Sequence, residues 1–191
     1  MFLKGFRWPI ALIVTVLSVG VLFAVQGTGG WLMRGGLEDK LKTDPAVDSV
    51  KIDYGSQGKV VVSARLSPVD DLSQAYQRLD RTLADSLGDG AYLLKVEDRR
   101  GPAVETVYEE IHYALYEGMS TGRYDAMHRR INELVEPKRL DQWRVTVDQR
   151  HVFVQLREGR NYLYEILERP RPGPDGSTSP VSEAGIGRLG Q

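Results

Sequence analysis

The most constraining feature of this sequence is an apolar segment near its start, Ile10 to Val25, which carries no charged residue. A helix needs about 20 residues, at about 1.5 Å each, to cross the hydrocarbon core of a bilayer, and residues 8–26 meet that length. Trp8 and Trp31 flank the segment, where indole rings favour the two headgroup layers. The segment is apolar on all sides, which disfavours a surface helix of a soluble domain. The sequence therefore predicts one transmembrane helix at residues 8–26.

Positive charges near this segment predict its orientation. Lys4 and Arg7 precede it together with the terminal amine, whereas the cations that follow are mixed with Glu38 and Asp39. Because the cytoplasmic side of a membrane helix carries the excess of lysine and arginine, residues 1–7 are expected in the cytoplasm and the C-terminal domain outside the cell membrane. A cleaved signal peptide and a buried core helix are the two alternatives for the segment.

The rest of the composition limits the classes of function. The chain has 191 residues, with 25 lysines and arginines against 26 acidic residues, and it has no cysteine. A net charge of −1 with interspersed signs offers no broad basic surface, so a nucleic-acid partner is not expected. The lack of cysteine excludes disulfides, thiolate metal sites and cysteine nucleophiles. A domain outside the cytoplasm would therefore be held together by its hydrophobic core alone.

Hydrophobic periodicity predicts an α+β fold that begins with an αββαβ module at residues 37–100. A glycine-rich linker at 27–36 precedes it. The predicted elements are a helical turn at Leu37–Leu41, strands in DSVKIDY and KVVVSARL, a helix that starts at Ser67 and Pro68 and ends at Gly88, and a strand in AYLLKVED. The strands are predicted from alternation of apolar and polar residues, and the helix from apolar residues at 3.6-residue spacing.

Residues 101–169 predict a helical pair followed by a three-stranded antiparallel meander. The helices are expected at about 102–117 and 123–136, and the strands in QWRVTVD, HVFVQLR and NYLYEILER. The joints between these strands are short enough for hairpins. Residues 170–191 contain four prolines and five glycines and are expected to form a disordered tail. The pattern leaves open whether 37–100 and 101–169 are two modules or one domain.

The element order of residues 37–98 resembles that of two small bacterial envelope modules, the BON domain and the ring-building motif of secretion and sporulation channels. The residues that carry the resemblance are DSVKIDYGSQGKVVVSARL, DDLSQAYQRLDRTLADSLGDG and AYLLKVED. The resemblance implies an envelope module, often tethered by one transmembrane helix, that associates side by side or binds partners. Residues 102–169 have no counterpart in that pattern.

No arrangement of side chains in the sequence indicates catalysis. Glu109 and His112 form an E-x-x-H pair on a helix, but a carboxylate-bridged metal site needs a second such pair and further glutamates. Ser120 and Thr121 are expected in a break between helices, where hydroxyls cap the next helix. No glycine-rich phosphate loop follows a strand. The chain is therefore expected to be non-catalytic, with no metal and no cofactor.

Tyrosines form the candidate interaction surface. Tyrosine is enriched at protein interfaces because it combines an apolar body with a polar tip, although tyrosines can also fill a small core. The candidates lie on the two predicted helices and on the last strand: Tyr108, Tyr113, Tyr116, Tyr124, Tyr162 and Tyr164.

These features together predict a membrane-anchored, extracytoplasmic structural or interaction protein of a bacterial envelope assembly. Its expected partners are the lipid bilayer, through residues 8–26, and a protein, which is either another chain or a second copy of this one. The alternative is an anchored sensor or regulator that binds a ligand between the helix at 102–117 and the meander.

Overall fold

The computed structural model describes residues 36–54 and 59–170. These ranges form an α+β fold with four helices and two three-stranded sheets. The predicted cytoplasmic start, the membrane anchor, most of the linker, the first hairpin turn and nearly all of the tail lie outside them. Within the described ranges, no helix combines the length and the apolarity that a membrane span requires.

The first half of the described chain contains one sheet and two helices, in the predicted order. Helix α1 covers 36–42, and it is followed by β1 (Val47–Tyr54), β2 (Val60–Leu66), α2 (Leu72–Leu87) and β3 (Tyr92–Glu97). Strand β2 lies in the centre, antiparallel to β1 and parallel to β3. Its alternate residues Val62, Ala64 and Leu66 are fully buried, as the period-two pattern predicts.

The second half contains the helical pair and the meander. Its elements are α3 (Pro102–Thr121), α4 (Tyr124–Val135), a short 3₁₀ helix (Glu136–Lys138), β4 (Gln142–Val147), β5 (His151–Glu158) and β6 (Asn161–Glu168). The three strands are antiparallel in the order β4-β5-β6, which confirms the predicted meander.

Helix α3 is longer than the sequence predicts, because Gly118 does not interrupt it. The helix continues past residue 117 to Thr121 and ends at Gly122, which has a left-handed φ of 69°. Gly118 faces α4, and a Cβ atom at this position would lie 2.5 Å from the Cβ atom of Met127. The glycine therefore permits close packing between α3 and α4, and the predicted break comes one turn later.

The meander is a layer shared by two hydrophobic clusters. Val152, Val154 and Leu156 of β5 belong to the cluster formed with α3 and α4. Phe153 belongs to the other cluster, together with tyrosines of β6 and the buried residues of α1, α2 and the first sheet. Alternate residues of a strand point to opposite faces, so β5 is buried on both sides. The two halves of the chain are thus joined through the faces of one sheet.

The start of α2 differs from the prediction because contacts with the meander hold the preceding loop. The helix begins at Leu72, with the Asp71 carboxylate as its N-cap, whereas Ser67 and Pro68 precede it in extended chain. The side-chain oxygen of Gln155 on β5 accepts a hydrogen bond from the backbone N–H of Leu72 at 3.1 Å, and its amide donates to the carbonyl of Val69. The prediction that this helix starts at Ser67 and Pro68 is therefore wrong.

Candidate interaction surface

One side of helix α3 packs against the meander, and the other side faces solvent. Val104, Ile111 and Leu115 are 0% exposed and form the buried stripe at helical spacing. Successive residues turn by about 100°, so Tyr113 lies on the opposite side of the helix. Its side chain is 81% exposed. The outer face of α3 is thus a rigid, core-anchored platform that carries an aromatic ring in water.

His112 lies at the centre of a group of rings on this face. Its ring centroid is 4.4 Å from that of Tyr116, 5.7 Å from that of Tyr113 and 5.8 Å from that of Tyr108. The contacts with Tyr108 and Tyr113 are edge-to-face, which is a favoured geometry for aromatic pairs. Rings held by neighbouring rings lose less rotamer freedom when a partner binds, so the surface is partly preorganised.

An arginine joins the segment before α3 to the meander. The Arg100 guanidinium donates to Asp98 at 3.1 Å and to the Glu165 carboxylate of β6 at 2.9 Å. Burial raises the pKa of both carboxyl groups, and the positive charge of Arg100 opposes that rise. Burial also raises the pKa of Tyr108, with the charge of Glu165 adding to the effect, so its hydroxyl is neutral at physiological pH.

Tyr124 makes an intramolecular contact at the start of α4. Its hydroxyl accepts a hydrogen bond from Arg169 at 2.8 Å, and the Arg169 guanidinium lies 4.7 Å from the centre of the ring. Arg169 also donates to the carbonyl of Asp148. This tyrosine therefore joins the end of the meander to α4, and it lies apart from the rings around His112.

Tyr162 and Tyr164 are buried and do not belong to an exposed surface. They are 5% and 3% exposed, on the face of β6 that is covered by the first half of the chain. The Tyr162 hydroxyl donates to the carbonyl of Leu66 at 2.6 Å, and the Tyr164 hydroxyl donates to the carbonyl of Ser67 and accepts from the N–H of Val69. Their assignment to the interaction surface fails because both faces of the meander are covered.

The hydroxyls at the end of α3 do not cap α4. Ser120 and Thr121 both donate to the carbonyl of Glu117, at 3.0 and 2.7 Å, and so bond back to their own helix. The Thr121 hydroxyl also accepts from the N–H of Arg123 at 3.4 Å, but Arg123 precedes the first turn of α4. Residues 118–122 match the G-x-S-x-G spacing of a serine nucleophile, but that motif requires a turn from a strand into a helix. Because Ser120 lies inside the last turn of α3, the match does not indicate a nucleophilic serine.

The space predicted for a ligand, between α3 and the meander, is filled by apolar side chains of the second cluster. Two grooves of about 400 and 460 Å³ lie elsewhere and are open to solvent, the first between α2 and the turn from β4 to β5, the second at the start of α4. In the first, Arg150 donates to Asp80 at 3.3 Å, so opposite charges are already paired. Within the part of the chain that the structure describes, no group of three or more histidine or carboxylate side chains is arranged to hold a metal ion.

His151, next to the first groove, predicts a pH dependence of stability. Its ring packs edge-on against Tyr76, at 5.2 Å between centroids, and lies 5.6 Å from Phe153. Burial lowers the pKa of His151, and the Asp148 carboxylate at 3.8 Å opposes that shift. The unfolded chain then takes up a proton near pH 6.5, before the folded chain does. The fold therefore loses stability as the pH falls below about 6.5.

Replacement of His151 by phenylalanine removes this contribution. We expect the free energy of unfolding, measured in urea at pH 7.5 and pH 5.5, to fall less between the two pH values in His151→Phe than in the wild type. Gln149→Phe, at an exposed position in the turn between β4 and β5, is the control for a new ring and should keep the wild-type slope. An equal slope in all three proteins would show that His151 takes up its proton equally in the folded and unfolded states.

No protein-family model matches this chain, and neither a curated protein nor a solved structure shows significant similarity to it. The resemblance of residues 37–98 to the BON domain and the ring-building motif stays a prediction.

Proposed function

We propose that this chain is a membrane-anchored, non-catalytic interaction protein of a bacterial envelope assembly, which binds a protein partner through the outer face of α3. The observation that supports the proposal best is the exposed ring of Tyr113 on a helix whose other side is fully buried. Interface anchors are typically aromatic side chains held on a rigid base. The remaining candidates act inside the chain, which leaves Tyr108, Tyr113 and Tyr116 as the interaction residues.

The exposure of the Tyr113 ring is unusual among the large apolar side chains of the described residues. Among the described residues, Tyr113 and Tyr54 are the exposed large apolar side chains, and Tyr54 is exposed by only 38%. Tyr54 stands at the end of β1, whereas Tyr113 has a histidine and two further tyrosines beside it. A cluster of rings can supply a larger contact area than a single ring, so α3 is the better docking face.

The anchor places this surface near the membrane. In the proposal, residues 8–26 span the bilayer and the described residues stand outside the cytoplasm. A linker at 27–36 spans at most about 3.5 Å per residue, or roughly 35 Å in total. Tethering of this kind raises the effective concentration of the domain toward partners in the same membrane, so a weak surface contact suffices.

The proposal is tested by photocrosslinking from Tyr113. The photoreactive residue p-benzoylphenylalanine is placed at position 113 of the full chain in the producing cells, and at position 54 as the control. We expect a crosslinked protein from position 113 and not from position 54. The full chain should also stay in the membrane fraction after a high-salt wash, and a variant without residues 8–26 should not. No product from position 113, or equal products from both positions, would contradict the proposed surface.

A further inference from the structure

The outer face of α3 carries two rows of side chains at four-residue spacing. Residues four apart on a helix lie one above the other. The acidic row is Glu105, Glu109, Tyr113 and Glu117, and the aromatic row beside it is Tyr108, His112 and Tyr116. Helix α3 contains four glutamates and no lysine or arginine. The half-buried aromatic row therefore lies next to a row that carries negative charge and the exposed ring of Tyr113.

The stability of α3 accounts for Glu105, an acid in the first turn where the helix dipole favours negative charge, but not for the rest of the acidic row. Glu105 and Glu109 are like charges four residues apart, an arrangement that destabilises a helix. Glu117 lies near the C-terminal end of α3, where the helix dipole is negative and a cation would be favoured, yet the last turn has no basic residue. These two features of the acidic row thus lower the stability of α3.

The row is also incompletely neutralised by the rest of the molecule. Glu109 makes no ion pair with any described residue, and Glu105 is 3.9 Å from Arg100, at the limit of a contact. Glu117 pairs with Arg123 at 3.2 Å, but the two side chains are 68% and 66% exposed. Pairs this exposed contribute little and exchange readily with other cations. Negative charge on this face is consequently available to a partner.

From the acidic row and the aromatic row we infer that the partner contacts α3 with a basic polypeptide segment that bears arginine. Guanidinium groups can pair with Glu109 and Glu117 and stack on the ring of Tyr113 between them, because arginine combines planar hydrogen bonding with attraction to aromatic faces. This inference rests on the proposed function and specifies the chemistry of the partner.

A defined peptide tests the chemistry of the face without knowledge of the partner. A fluorescent peptide of alternating arginine and glycine is titrated with the full chain, beside the same peptide with neutral citrulline in place of arginine. We expect the arginine peptide to bind at least about fivefold more tightly, and Tyr113→Ala with Glu109→Gln and Glu117→Gln to abolish that difference. Equal binding of the two peptides to the wild type would overturn the inference.

Charge reversal tests the inference in the cell. Glu109→Lys with Glu117→Lys is introduced into the chain that carries the crosslinker at position 113, and Glu158→Lys at the exposed end of β5 is the matched control. We expect capture to fall at least about fivefold in the double reversal and to be unchanged in the control. The captured peptide should contain lysine or arginine, and reversal of those residues to glutamate should restore capture. Circular dichroism verifies that each variant is folded.

The outcomes separate the inference from the proposed function. Three results would overturn the inference and leave α3 as an interaction surface. They are capture that the double reversal does not reduce, a crosslink from α3 to a peptide without basic residues, and a crosslink between two copies of this chain. Failure of every crosslink from position 113 would overturn both.

Discussion

Truncation of Phe153 to alanine is expected to destabilise the fold by about 3–5 kcal/mol, the usual range for deletion of a buried aromatic ring. The side chain is 1% exposed and lies between the two halves of the chain, with its ring centroid 5.6 Å from that of Tyr76 on α2. Its removal leaves a cavity at the junction of the meander with the first cluster. Urea denaturation of the full chain, followed by circular dichroism, measures the loss.

Tyr113→Ala is the matched control for this truncation. It removes a ring of similar size from an 81% exposed position, so we expect a change within about 0.5 kcal/mol. Leu156→Ala, on the opposite face of β5, is expected to cost about 2–5 kcal/mol. Hydrogen exchange in Phe153→Ala should show reduced protection in both α2 and α3, because both pack on one strand. Reduced protection in α2 alone would indicate that the two halves unfold separately.

Replacement of Gln155 by leucine is expected to cost about 2–4 kcal/mol despite the gain in apolar character. The side chain is 3% exposed and accepts from the N–H of Leu72 while it donates to the carbonyl of Val69. Leucine fills a similar volume but leaves the buried N–H of Leu72 and the partly buried carbonyl of Val69 unpaired, at up to about 1–3 kcal/mol each. The free energy of unfolding in urea measures the effect.

Gln149→Leu, in the exposed turn between β4 and β5, is the control for the Gln155 substitution and should change stability by less than about 0.5 kcal/mol. A second expected result is faster hydrogen exchange at Leu72, because its amide loses its acceptor. If Gln155→Leu is as stable as the wild type, the other contacts of the loop from Ser67 to Asp71, such as those with the Tyr164 hydroxyl and with Arg144, are sufficient to hold it.

The elements of the fold could be predicted from the sequence because each carries a clear period. The strands of both sheets follow the alternation of apolar residues, and α2 follows apolar residues at 3.6-residue spacing. The start of α2 could not be predicted, since Ser67 and Asp71 are both good caps and the choice is made by Gln155, which lies 83 residues from Leu72. The end of α3 was missed because Gly118 fits a helix break as well as a close helix contact.

The candidate surface was predicted only in part, for a related reason. Helical spacing indicated that Tyr113 points away from the buried stripe, and the structure places it there. For Tyr162 and Tyr164, the alternation of apolar residues indicates that they share one face of the strand, but it does not indicate which part of the protein covers that face. A signal was present in HVFVQL, where Phe153 interrupts the alternation and makes the run apolar on both faces, as expected of a strand buried on both sides. The four-residue spacing of Tyr108, His112 and Tyr116 was a second unused signal, because residues four apart on a helix lie on the same side of it.

The position of the meander at the end of the fold has a consequence for biogenesis. The first cluster includes Phe153, Tyr162 and Tyr164 from the last two strands, so α2 and the first sheet cannot complete their core when they leave the ribosome. Their apolar side chains stay exposed until the final hairpin has been synthesised. That hairpin comes about 70 residues after α2, and synthesis adds roughly 5–20 residues per second. During those seconds the nascent chain exposes an incomplete core, which we expect holdase chaperones or quality-control proteases to recognise.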